Sequence, residues 1–184
     1  RMYFAKRGMV DKIAKTTMNN ERRVLSSFYS WLASEEYITK NPMLRIGNIK
    51  EEKRIKKPFS EEEIELLRKN TNELRGIAML EFLYSTGVRV SELVSINIKD
   101  VDLENASCIV SGKGGKERYV YLNTKSKMAI KEYVASRKDN DASLFISQQK
   151  KRLNIGGVAL WLKSLEKSSG VTNVHPHRFR RTAA

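Results

Sequence analysis

A chain of 184 residues is long enough for one ordinary domain or two small ones, each with a hydrophobic core. Thirty-five Lys and Arg against 21 Asp and Glu leave a formal charge of +14, a self-repelling surplus that makes most sense opposite a polyanion, with nucleic acid the leading partner class. The single cysteine, Cys108, excludes an internal disulfide framework and a Cys-rich zinc site, and it points to a reducing, cytoplasmic setting.

No run approaches the roughly 18 apolar residues of a membrane span, and residues 1–7 are interrupted by charge too early for a secretory signal. The chain opens without Met and ends within a helical pattern at residues 182–184, so it is expected to be a piece of a longer polypeptide. In residues 24–32, Val24, Leu25, Phe28, Trp31 and Leu32 recur at spacings of three and four, which predicts an amphipathic helix with a core-facing side. Asn41-Pro42 breaks that pattern, and residues 47–57 read as a basic linker between a first domain, 1–46, and a second, 58–184. Residues 1–58 carry a net charge of +8 and the remaining 126 carry +6, so the smaller part is the more basic per residue.

Ser60 followed by Glu63 predicts a capped helix start, with Phe59 placed to staple onto Ile64. A second helix is expected over about residues 73–85, buried on one side and stopped by Gly87, and a third short one opens near Arg89. The period then changes to two: residues 107–111 and 118–122 flank a glycine-rich tip at 112–116, a β-hairpin in which Cys108 is expected to be a small buried hydrophobe. Helical patterns return over 124–137 and 154–169, the latter ended by Gly170, with a short strand-like run at 144–146 between them. Pro176 opens a last helix. The expected fold class is mainly α with a small antiparallel sheet.

Arg89 follows a glycine turn at the start of a helix, while His177 and Arg180, three apart, project from one face of the last helix. A guanidinium is permanently charged, and its planar fork can donate two bonds to the nonbridging oxygens of a phosphate. Paired arginines would hold a phosphodiester and stabilise the charge that develops on it when a fifth oxygen attacks. A hairpin lysine can protonate a departing oxygen, and a histidine titrates near neutrality. Each residue alone has an ordinary explanation, such as a helix cap or a charged sheet edge.

Three blocks, Thr86-Gly87-Val88-Arg89-Val90-Ser91-Glu92-Leu93, Gly112-Lys113-Gly114-Gly115-Lys116-Glu117-Arg118 and His175-Pro176-His177-Arg178-Phe179-Arg180-Arg181-Thr182, resemble in order the signature blocks of the tyrosine recombinase, or phage integrase, family, in its Xer- and transposon-integrase-like branch. The resemblance implies a helical core-binding domain in the first part and a catalytic domain from Pro58 onward. It implies Arg89 and Arg180 as phosphate clamps, Lys113 as general acid toward the 5′ oxygen with Lys116 as its rival, His177 as the block histidine, and Glu92 as a supporting acid. Lys116, Lys53, Arg54, Lys56, Lys57 and Arg178 are expected DNA contacts, and Arg181, where many relatives carry histidine, is expected to face away from Arg180.

No cofactor and no metal are implied. The partners implied are double-stranded DNA, further copies forming a tetramer on two sites, and accessory DNA-bending proteins, with no membrane. The family's Leu-Gly-His block and its nucleophilic tyrosine are absent, so these residues are expected to bind DNA without cleaving it; the whole protein would exchange strands through a 3′-phosphotyrosyl link without ATP. The alternatives are a non-catalytic DNA-binding regulator and a type IB topoisomerase.

Overall fold

The computed structural model describes residues 2–51, 55–112 and 114–183. It divides into two compact units, Arg1–Ile55 and Lys56–Ala184.

The first unit holds α1 (Met2–Met9), α2 (Lys15–Ser34) and a 3-10 turn at Pro42–Arg45. Arg7 joins the two helices by pairing with Glu21, and Tyr3 donates to the same carboxylate at 3.1 Å. The turn begins at the proline break anticipated from sequence, with the Asn41 side chain accepting from Met43 N at 2.8 Å. The chain after it is not free: Asn19 of α2 donates to Ile49 O and accepts from Ile49 N, both at 2.9 Å, so the start of the expected linker is hydrogen-bonded to the first unit. The anticipated core-facing side of α2 is a correction. Val24 is 69% exposed, Phe28 49% and Trp31 50%, and only Met18 of this helix is buried. Helical spacing correctly places these side chains on one face, where Phe28 and Trp31 lie 6.1 Å apart, but periodicity carries no information about what covers that face.

The second unit is organised around α4 (Leu74–Thr86), which packs against α6 (Thr124–Ser136) and α8 (Pro176–Thr182). Expected to bury one side, α4 buries every residue from Ala78 to Leu83, because its apolar residues run around the whole cylinder. The one charge in that run, Glu81, is satisfied by Arg68 Nε at 2.6 Å and Nη2 at 2.9 Å, both from α3 (Glu61–Lys69). A buried carboxylate without such a partner would destabilise the helix by several kcal/mol, on the order of 3.

Ser60 and Glu63 form the anticipated capping box at the start of α3. Phe59 is buried, with its ring 4.7 Å from that of Phe179 and beneath the Arg178 guanidinium at 4.1 Å. Phe59 N also donates to Thr182 Oγ1 at 2.9 Å, so α8 is seated on the chain that leads into α3. α7 (Ile155–Ser169), capped by Asn154 and ended by left-handed Gly170, packs on α3 and on α5 (Val90–Ser95).

The sheet has the antiparallel order β1 (Val101–Asp102), β2 (Ser107–Ser111), β3 (Glu117–Tyr121). The β1 strand, only two residues long, is too short to leave a period in the sequence. Pairing of Cys108 with Val120 and of Val110 with Arg118 sets the inward face, and burial pushes the Cys108 thiol up to about 12, which leaves it an inert small hydrophobe. The strand-like run at 144–146 lies outside the three-stranded sheet. Its residues are buried as a strand would be, but the described pairing there is an isolated bridge from Ile146 to Arg152, so burial rather than sheet membership explains the apolar run. Among the described residues no helix is long and apolar enough to cross a membrane.

Candidate active site

Gly87 terminates α4 in the left-handed region, at φ +56°, and turns the chain so that Arg89 becomes the N-cap of α5. That glycine is also where α8 sits. A Cβ at position 87 would lie 3.0 Å from Ala183 Cβ and 3.3 Å from Arg180 Cα, while Gly87 O accepts from Arg180 Nη1 at 2.8 Å. Gly87→Ala is therefore expected to cost about 1–2 kcal/mol from backbone strain alone and to displace α8 as well. Thermal melts of Gly87→Ala and Gly87→Asn separate the two effects: Asn tolerates the left-handed conformation, so equal losses assign the defect to the close approach.

Glu92, one turn into α5, is 2% exposed and accepts four hydrogen bonds. Arg89 N lies 2.7 Å from one oxygen and Arg89 Nη1 2.9 Å from the other. Arg118, reaching over from β3, places Nη1 and Nη2 at 3.3 and 3.1 Å. Burial by itself would raise the carboxyl pKa, but the Arg89 backbone N–H and the two guanidiniums outweigh it and hold Glu92 below the ordinary carboxylate range.

A cavity of about 730 Å³ opens beside this cluster, with Lys56, Arg118, His175, His177, Arg180 and Arg181 on its walls together with Gly87 and Val120. No acidic side chain is among the described lining residues, so the fixed charges on its walls, Lys56, Arg118, Arg180 and Arg181, are all positive. A second concavity shares Lys56, His175 and Arg181 with it and adds Lys57. Burial lowers the pKa of His175, and the neighbouring Arg181, Arg178 and Lys56 cations lower it further, which favours its neutral form at pH 7.

His177 and Arg180 meet in the cavity, whereas Arg89 is half-exposed beside it and tied to its wall through the carboxylate shared with Arg118. Lys116 is exposed, and its carbonyl accepts from Gly112 N at 2.7 Å to close the hairpin. Lys53, Arg54 and Lys113 lie outside the described residues.

Arg178, an expected DNA contact, is largely buried: it donates to Thr172 O at 2.7 Å, Pro58 O at 3.1 Å and Glu63 at 2.6 Å, fastens α8 to the start of α3, and also lines the second concavity. One expectation is corrected. Arg181 does not face away from Arg180 but lines the same cavity. Residues 177, 180 and 181 stand at i, i+3 and i+4, which is one helical face, so the signal was present in the spacing. Arg118 and His175 were not singled out from sequence. For Arg118 the available clue was strand alternation, which puts it on the inward side with Val120, where a charge requires a partner.

A model of the phage integrase family matches residues 60–184, which include the whole Glu92 cluster and, apart from Lys56, the described residues lining the cavity. The chain belongs to the phage integrase family. Among its relatives, this integrase-family chain is 35% identical over 186 residues to tyrosine recombinase XerC of Bacillus subtilis (strain 168), covering 94% of this chain and 61% of that protein. It is 34% identical over 182 residues to tyrosine recombinase XerC of Staphylococcus saprophyticus, covering 94% and 62%. The chain thus spans about three fifths of the length of these relatives.

Among solved structures, XerA recombinase superposes with a TM-score of 0.66 at 25% identity, over 99% of this chain and 65% of that one. A lambda integrase dimer bound to a COC′ core site superposes with a TM-score of 0.78 at 18% identity, over 96% and 68%. The Tn1549 transposon integrase in complex with circular intermediate DNA gives 0.77 at 21% identity, over 98% and 69%. The last two establish the fold, and with it the anticipated class of mainly helical architecture with a small antiparallel sheet.

Proposed function

We propose that the protein is a site-specific DNA recombinase whose second unit cradles one backbone phosphate of a duplex and supports strand cleavage and rejoining through a 3′-phosphotyrosyl intermediate. The observation that carries this reading is the acid-free cavity in which His177 and Arg180 converge with Arg118, next to Arg89 on the shared Glu92. Arg89 and Arg180 donate to the nonbridging oxygens, where charge grows in the transition state and preorganised cations act most strongly. His177, exposed at the cavity, donates to or exchanges a proton with the same phosphate. Lys113 delivers the proton to the departing 5′ oxygen, with Lys116 on the same hairpin as the rival for that role. Lys53, Arg54, Lys56 and Lys57 supply sequence-independent attraction along the duplex.

The first unit is proposed to be a DNA-contacting core-binding domain, residues 47–57 its basic connection to the catalytic domain, and the working assembly four protomers on two DNA sites. The attacking tyrosine is proposed to lie outside these 184 residues. None of the described residues lining the cavity is a tyrosine, and Tyr119 and Tyr121 stand exposed on β3 as ordinary sheet residues. These residues by themselves would then bind duplex DNA without cutting it.

Duplex binding by residues 1–184, titrated in 50–200 mM salt, tests the foundation of this reading. Affinity is expected to fall steeply, with a log–log slope near −0.9 for each phosphate contacted. Affinity that does not respond to salt, or no binding at 50 mM, overturns it.

A further inference from the structure

Arg118 lines the cavity, yet both of its described side-chain hydrogen bonds go to Glu92 rather than into the open space. It bonds both oxygens of that carboxylate, one of which also accepts Arg89 N at 2.7 Å, and Arg89 makes a single side-chain bond, from Nη1 at 2.9 Å to the other. Among the described residues Arg89 Nε and Nη2 have no hydrogen-bond partner, and the side chain is 52% exposed. A lone guanidinium next to a buried carboxylate closes on it in a two-pronged pair, the preferred geometry for these groups. An Arg89 drawn down in that way would turn its fork into the protein and away from any anion.

We infer that Arg118 is a positioning residue: by sharing Glu92 it prevents Arg89 from closing on both carboxylate oxygens and so keeps the outward edge of the Arg89 guanidinium available to a phosphodiester. The hairpin contributes to the same node at its base, since a Cβ at Gly112 would lie 3.7 Å from Glu92 Oε1. The register that pairs Arg118 with Val110 therefore governs how α5 presents Arg89. This rests on the reading of Arg89 as a phosphate clamp.

The test is a double-mutant cycle in the whole protein, with affinity for a duplex measured at fixed salt for wild type, Arg118→Gln, Arg89→Lys and the pair. Arg118→Gln and Arg89→Lys are each expected to weaken binding about tenfold, and the double variant no more than either alone, because Arg118 acts through Arg89. Losses that multiply to about a hundredfold would mean that Arg118 touches DNA itself and would overturn the inference, as would an Arg118→Gln protein that folds and binds like wild type. If Arg118→Gln does not fold, Arg118→Lys serves instead: its single cation frees one oxygen for Arg89, so a loss of about threefold that vanishes in the Arg89→Lys background is expected. Should wild type fail to bind duplex, the clamp reading fails on its own, and the side-chain Nε–H resonance of Arg89 decides the positioning role. That resonance shifts on substitution of Arg118 if the carboxylate is shared as described, and an unshifted signal rejects the inference.

Discussion

Arg180→Ala in the whole protein is expected to slow formation of the covalent protein–DNA complex by about 10²–10³-fold, the cost of removing one preorganised donor from a site of developing anionic charge. The geometry explains why the effect should fall on rate more than on affinity. Arg180 Nη1 is anchored on Gly87 O at 2.8 Å, which fixes the guanidinium against the α4–α5 turn, while Lys56, Arg118 and Arg181 line the same cavity and continue to attract the duplex without it. Affinity is accordingly expected to drop less than about tenfold. Arg180→Lys keeps the charge but loses the planar fork, and should recover only part of the rate. Single-turnover cleavage of a suicide duplex, resolved as covalent complex on a denaturing gel, makes the measurement. An undiminished rate for Arg180→Ala removes this residue from the proposed chemistry.

Glu92→Gln should be the most damaging conservative change to the fold. It keeps the shape of the side chain but leaves two guanidiniums facing each other across a neutral amide. Breaking a buried pair costs about 3–5 kcal/mol. Because the side chains of Arg89 and Arg118 are 52% and 38% exposed, solvent screens part of that interaction, and about 2–3 kcal/mol is the expected loss. In a unit of this size the melting temperature would fall by roughly 10 °C.

The pH dependence has a definite sign. Since the folded pKa of Glu92 lies below its unfolded value, its contribution is fully present above the ordinary carboxylate pKa of about 4.3 and disappears as the pH falls through the depressed folded value. The gap between wild type and Glu92→Gln in thermal melts should therefore be widest near neutrality and should narrow in acid below about pH 4. Coincident melts for the two proteins from pH 7 downward would show that the shared carboxylate contributes nothing.

What the sequence determined by itself was local: Ser60 with Glu63, Gly87, Gly170 and Pro176 mark helix ends correctly because capping and left-handed turns are settled within about four residues of backbone. The alternation on either side of the glycine-rich tip likewise marked the hairpin, and the spacing of His177 and Arg180 placed them on one face. The direction in which that face points was decided by tertiary packing. Phe59, 120 positions from Phe179, seats α8 so that Arg178 turns inward and Arg181 joins Arg180 at the cavity. The pairing of Arg118 with Glu92, 26 residues apart, and the open apolar face of α2 are of the same kind. Periodicity specifies which side chains share a surface, whereas the partner across that surface is chosen by burial and charge neutralisation between segments that meet only when the chain is folded.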